Sequence, residues 1–151
     1  MNGRSYAAFG SNMNVAEMQK RCPQARVTGQ GELRGYRLTF CGDGEGFANV
    51  EPDEHGHVPV VLWKISEECE RALDVYENYP TLYGKELVSI VTDAGEERAM
   101  LYRMAEPYAS TPAMPDAAYL KIIRQGYREH GIDEHPLLAA AMQIAKTALE
   151  K

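Results

Sequence analysis

Val58-Pro59-Val60-Val61-Leu62-Trp63-Lys64-Ile65 is rich in β-branched residues and reads as a strand, with Pro59 pushing its start toward a sheet edge or a bulge. Phe47 to Val50 is a shorter strand-like run. The segment between them, Asp53-Glu54-His55-Gly56-His57, has the polar, Gly-containing character of a hairpin turn. Upstream, Arg26 to Cys41 alternates and is broken by Gly29, Gly31 and Gly35, with Tyr36, Leu38 and Phe40 sharing one face, and Gly42-Asp43-Gly44-Glu45-Gly46 follows as a flexible loop. Downstream, Tyr83 to Thr92 and Glu97 to Met104 flank Asp93-Ala94-Gly95 and read as a β-hairpin. Ser5 to Phe9 is a short apolar strand stopped by Gly10-Ser11-Asn12.

Short helices are interspersed among these strands. Asn14 with Glu17 has the capping-box arrangement, and Val15, Met18 and Cys22 recur at helical spacing until Pro23. Ser66 caps a helix with Cys69, Ala72, Leu73 and Tyr76 on its apolar face, ending around Glu77-Asn78-Tyr79-Pro80. Ala105 to Pro115 holds three prolines and reads as a stiff loop without regular structure. Asp116 then caps a helix carrying Tyr119, Leu120, Ile123 and Tyr127 and ending at Gly131. Asp133 caps a last one with Leu137, Leu138, Ala141, Ile144, Ala145 and Ala148 on one face. Strands through the first two thirds with helices between them imply an α+β domain built on a mainly antiparallel sheet or barrel.

A chain of 151 residues has the size of a single domain, here taken as 1–151, and can bury a core without staples. Sixteen Lys and Arg against twenty-two Asp and Glu leave a net charge of −6 with no basic stripe, which makes nucleic acid a poor partner. The N-terminus has no long apolar segment, so neither a signal peptide nor a membrane span is expected and the protein is assigned to the cytoplasm. Cys22, Cys41 and Cys69 are odd in number, far apart and without a C-x-x-C, so they read as buried reduced thiols, neither a disulfide framework nor a zinc cluster.

Two places could carry chemistry. Phe9-Gly10-Ser11-Asn12 joins a strand to a helix and presents free backbone N–H groups, which suit a small carboxylate. It lacks the Lys of a P-loop and the spaced glycines of a dinucleotide site, and an ordinary turn capped by Asn is the other reading. Glu77 lies ~40° from Leu73 at the margin of its helix's apolar stripe. A carboxylate there meets the negative end of the helix dipole and is partly desolvated, and both raise its pKa toward the range of a general base or acid. A surface Glu on an acidic helix is the alternative. His55 and His57 sit in an Asp/Gly segment without a third ligand, His130 and His135 lie at helix ends, and no nucleophile elbow is present, so metal and acyl-transfer chemistry lack their parts.

Together these pieces resemble the γ-glutamylcyclotransferase-like family, to which the plant AIG2-like proteins also belong. The resemblance rests on Tyr6-Ala7-Ala8-Phe9-Gly10-Ser11-Asn12-Met13, the Val58 to Ile65 run, Leu73-Asp74-Val75-Tyr76-Glu77, Tyr83-Gly84-Lys85-Glu86, Ala99-Met100-Leu101-Tyr102, and the Pro-rich loop leading to Tyr119-Leu120-Lys121-Ile122-Ile123. It spans nearly the whole chain, and the order and spacing of the motifs make it specific.

The resemblance implies a small barrel with flanking helices and a cavity in which a γ-glutamyl group folds back on itself. It places the catalytic glutamate at Glu77, which would pass a proton from the substrate's ammonium to the departing amine, yielding 5-oxoproline without cofactor or metal. It assigns substrate contacts to Tyr6, Ala7, Ala8, Phe9, Gly10, Ser11 and Asn12, with Tyr83 and Tyr119 reaching the cavity or else packing as core tyrosines. The implied partner is a small γ-glutamyl compound, with no membrane and with monomer and homodimer both open. The leaving half would contact the Gly42 to Gly46 and Ala105 to Pro115 loops. Phe9 stands where the family usually has Tyr, and Asn78 replaces a common Gly. The loss of the hydroxyl at position 9 is the one feature that favours the alternative, a non-catalytic small-molecule binding protein on the same barrel.

Overall fold

In the computed structural model, which describes residues 3–149, five strands close into a barrel in the order β1-β3-β2-β4-β5. They are β1 (Arg4–Ala8), β2 (Arg26–Cys41), β3 (Phe47–Ile65), β4 (Tyr83–Thr92) and β5 (Gly95–Met104). Neighbours pair antiparallel except β1 and β5, which close the barrel in parallel at Tyr6 and Met100. The fold is therefore the expected α+β barrel with flanking helices. Val58, Val60, Leu62, Ile90 and Met100 form part of its sealed core, each at most 1 % exposed.

One expected turn is part of a strand. Residues Asp53 to His57 do not end a hairpin, because β3 runs through them and pairs with β2 along nearly its whole length. The polar stretch is a bulge: Arg34 pairs with His57 but Tyr36 pairs with Pro52, so the extra residues of β3 loop out opposite Gly35. A Cβ on Gly56 would lie 2.3 Å from the Tyr36 carbonyl oxygen, so the glycine marks a close backbone approach. The actual β2–β3 connection is the 42–46 loop. Pro59 lies just beyond the last β1–β3 pair, Ala8 with Val61, where that edge of β3 has no β1 partner.

Four helices flank the barrel: α1 (Val15–Arg21), α2 (Glu67–Tyr76), α3 (Ala117–Glu129) and α4 (His135–Leu149). Their starts follow the expected chemistry. Asn14, Ser66 and Asp116 accept hydrogen bonds from the backbone N–H groups of Glu17, Cys69 and Tyr119, and Asp133 accepts from His135 at 2.9 Å. Gly131, just past α3, has φ +66. On α4 the inward face is Leu137, Ala140 and Ile144, whereas Leu138 is 37 % exposed, and the Ala148 side chain lies outside the described residues. The Pro-rich loop holds one 3₁₀ turn, Tyr108–Ser110, and a bridge from Pro112 to Cys41.

The cysteines correct the sequence reading. Cys22, the C-cap of α1, and Cys69, in the first turn of α2, are joined by a disulfide with Cα atoms 5.2 Å apart, and Cys41 alone is a free buried thiol. The pair stands 47 positions apart in sequence, and only the packing of α1 against α2 brings them together. Among the described residues, no helix is long and apolar enough to cross a membrane.

Candidate active site

A cavity of about 260 Å³ opens where the first turn, the end of α2 and the start of α3 meet the barrel. The chain reaches it first through Tyr6 on β1, then through the turn Phe9, Gly10, Ser11 and Asn12, part of which is a 3₁₀ turn over Ser11–Met13. That turn is pinned from several sides. Trp63 Nε1 donates to the Asn12 carbonyl at 3.0 Å, Asn12 Nδ2 donates to the Tyr6 hydroxyl at 3.0 Å, and His130 Nε2 bonds the Met13 carbonyl at 2.9 Å. Asn12 Oδ1 is buried at the cavity wall without a partner. A side chain at position 10 would meet the Ala48 Cβ at 3.1 Å and the Tyr119 hydroxyl at 3.6 Å, so glycine there keeps the cavity open.

Glu77 follows the last turn of α2. Its N–H donates to the Leu73 carbonyl at 2.8 Å, and Asn78 carries the chain out of the helix at φ +52, a conformation Asn adopts more readily than most residues. The carboxyl faces the cavity, and among the residues that line it Glu77 alone is charged. Burial pushes its pKa up to about 7, while the positive charge of Arg21 pulls the other way. The sequence expectation of a raised carboxyl pKa thus has its main cause in desolvation.

Tyr83 and Tyr119 both line the cavity, and both hydroxyls hold the same residue of β3, Ala48. The Tyr83 hydroxyl donates to the Ala48 carbonyl at 2.7 Å, and the Ala48 N–H donates to the Tyr119 hydroxyl at 2.9 Å. Burial pushes the phenols of Tyr6, Tyr83 and Tyr119 above their ordinary value, so they stay neutral hydrogen-bonding groups.

Of the ten residues singled out in the sequence, eight share this cavity. Ala7 and Ala8 are buried in β1 but do not line it. Sequence reasoning missed Phe47, Ala48, Tyr76, Leu82 and Tyr102. Tyr76 had read as part of an apolar stripe. Tyr102 enters because the parallel closure pairs Tyr6 with Met100, two residues away on the same face, and its ring meets Tyr6 edge-to-face at 5.9 Å. The lining comes from these positions and from neither of the two loops expected to hold the leaving half. His55 and His57 lie in β3, with His57 Nδ1 3.0 Å from Glu32. Among the described residues, no group of three His, Cys, Asp or Glu side chains is arranged to hold a metal ion.

The family model described as gamma-glutamyl cyclotransferase, AIG2-like, matches residues 6–121. No curated protein matches the sequence. Among solved structures, the chain is similar to a gamma-glutamyl cyclotransferase, at 25% identity and TM-score 0.81 over 95% of this chain and 87% of that one. It is equally similar to the uncharacterized protein loc79017 from Homo sapiens, at 25% identity and TM-score 0.80 over 96% and 88%. YkqA from Bacillus subtilis shares the fold at 19% identity and TM-score 0.79 over 96% of this chain and 55% of that one.

Proposed function

From the premise that this chain belongs to the gamma-glutamyl cyclotransferase, AIG2-like family, we propose that it converts a small γ-glutamyl amino acid, peptide or amine into 5-oxoproline and the free amine, with Glu77 as the general base and acid. The observation that carries this reading is a single carboxyl, with a pKa of about 7, facing a cavity that has no other charged lining residue.

The chemistry follows from that arrangement. The substrate's α-carboxylate would bind the N–H groups that open the turn after β1, which a 3₁₀ turn leaves without internal partners. Ionised Glu77 takes a proton from the α-ammonium group. The α-ammonium group is a weaker acid than a carboxyl near 7, so this transfer is uphill, and the raised pKa of Glu77 makes it less so. The freed nitrogen attacks the γ-carbonyl carbon, protonated Glu77 gives its proton to the nitrogen that departs, and the ring nitrogen then passes its second proton through Glu77 to that same amine, so the ring closes as a neutral lactam and the amine leaves as its ammonium. The C–N bond formed in the ring replaces the one broken to the leaving group. Holding the glutamyl chain folded supplies much of the acceleration, since ring closure within one molecule depends chiefly on orientation. The neutral tyrosine wall excludes water without competing for the proton.

Incubation with a panel of γ-glutamyl amino acids, peptides and amines, followed by measurement of 5-oxoproline, tests this reading. Turnover of at least one member and its loss in Glu77→Gln are expected. No turnover across the panel, with ligand bound equally by both proteins, would favour the other reading, a binding protein. Phe9 favours that reading because it lines the cavity without the hydroxyl usual in the family. A cytoplasmic setting belongs to the enzymatic proposal by resemblance. The cysteines no longer argue for it, because disulfides such as Cys22–Cys69 persist more readily in oxidising compartments.

A further inference from the structure

Arg21, the last residue of α1, stands out as a cation placed where charge is costly. Its side chain is 13 % exposed and its Nε is buried without a partner. Its guanidinium carbon lies 3.4 Å from the centroid of the Tyr76 ring. The next residue, Cys22, is tied by its disulfide to α2, the helix that carries Tyr76 and ends at Glu77. Tyr76 is itself part of the cavity wall, and its hydroxyl shares a 3.2 Å hydrogen bond with Ser11 Oγ across that wall. The guanidinium therefore stacks on a wall residue that is the chain neighbour of Glu77, while Arg21 itself does not line the cavity.

The ion pair with Glu17, whose Oε1 lies 3.4 Å from both terminal nitrogens of Arg21, accounts for only part of this placement. Glu17 already binds Lys20 at 2.7 Å, whereas its carboxylate is 3.4 Å from Arg21, whose better bond, 2.6 Å, goes to the Glu17 backbone carbonyl. We propose that Arg21 is a positioning residue of the active site: stacked behind Tyr76, it fixes the Tyr76–Ser11 wall and supplies the positive charge that balances ionised Glu77.

The charges around the pair agree with this role. The groups facing Glu77 are phenols, Tyr6 from β1, Tyr83 from β4, Tyr102 from β5, Tyr119 from α3 and Tyr76 from α2 itself. Burial holds the first four above their ordinary value, so they contribute no charge near neutrality. The carboxylate of Glu17, 3.4 Å from Arg21 and held below its usual range by Lys20 and Arg21, tempers the cation. The positive charge of Arg21 favours the ionised form of Glu77, against the burial that opposes it.

The inference rests on Glu77 as proton acceptor, but its decisive test does not need turnover. Side-chain carboxyl ¹³C NMR, with Glu77→Gln assigning the signal, gives the Glu77 midpoint in the wild type, Arg21→Met, Arg21→Lys and Glu17→Gln. Arg21→Met should raise the midpoint by about one pH unit, and Arg21→Lys, which keeps the charge, by less than about 0.3. Glu17→Gln, which leaves Arg21 in place and so protects the test if Arg21→Met fails to fold, should lower it by a few tenths of a unit. The acidic limb of kcat/KM should move with each midpoint, whereas a merely structural loss would depress kcat/KM equally at all pH values. A Glu77 midpoint unmoved in Arg21→Met, or, if that variant does not fold, unmoved in Glu17→Gln, overturns the proposal. Absence of 5-oxoproline from the wild type would instead overturn the cyclotransferase reading and leave the titration to decide Arg21.

Discussion

The indole Nε1 of Trp63 reaches from β3 to the backbone carbonyl of Asn12, 3.0 Å away, and both residues are almost fully buried. This bond ties the turn at the cavity to the barrel wall, with Tyr6 paired to Trp63 in the sheet beside it. Trp63→Phe would keep most of the apolar ring and strand the carbonyl without a donor. The expected loss is about 1–3 kcal/mol in denaturant unfolding. If the turn binds substrate, KM should rise more than kcat falls. Unaltered unfolding would show that the indole bond does not hold the turn.

Tyr83 and Tyr119 grip the two polar groups of one residue, Ala48. Tyr83→Phe leaves a buried carbonyl unpaired and Tyr119→Phe a buried N–H, each expected to cost about 1–3 kcal/mol. Because both act on the same stretch of β3, the double variant should depart from additivity by more than about 0.5 kcal/mol. Denaturant unfolding of the four proteins in a double-mutant cycle measures this, and strict additivity would contradict a shared anchor.

The Cys22–Cys69 bond closes a loop with a sequence separation of 47 and clamps α1 to α2. Reduction by a dithiol, or Cys22→Ser with Cys69→Ser, should lower stability by about 2–4 kcal/mol. Thermal unfolding with and without reductant checks this: the wild type should respond and the double variant should not. A wild type indifferent to reductant would mean that the thiols are not joined in solution.

What the sequence made legible was whatever depends on near neighbours. Asn14, Ser66 and Asp116 announce their helices because a cap is a contact over three residues, and Asn78 serves in place of the family's common Gly because Asn accepts a positive φ more readily than most residues. Asp53 to His57 misled because a wide bulge and a turn use the same polar, Gly-containing residues, and only the β2 register separates them. The disulfide was hidden for a similar reason, since its partners meet only after two helices pack. Within the site, Glu77 and the Phe9 to Asn12 turn stand at element ends, where periodicity and turn chemistry point to them. Tyr102 and Ala48 are ordinary strand residues until the barrel closes.

Glu77 should make the protein less stable where it makes it useful. Its carboxyl has a pKa of about 7 in the folded protein against 4.5 ordinarily, so the folded state holds its proton more tightly than the unfolded chain does. The stabilising contribution of the protonated form is complete below about pH 4.5 and is lost as pH rises through about 7. Glu77→Gln does not titrate and should escape that loss. Its stability should match the wild type's trend at pH 4.5 and exceed it progressively toward pH 8, by on the order of 2–3 kcal/mol. Urea unfolding of both proteins at several pH values measures the difference, and a gap independent of pH would refute the raised pKa. The same variant should lose about 10²–10⁴ in kcat/KM, and the wild type should lose activity as pH falls below about 7, since only the ionised carboxylate takes the substrate's proton. A stabilised but inactive Glu77→Gln is the outcome expected of a carboxylate whose burial opposes folding and tunes its proton affinity together.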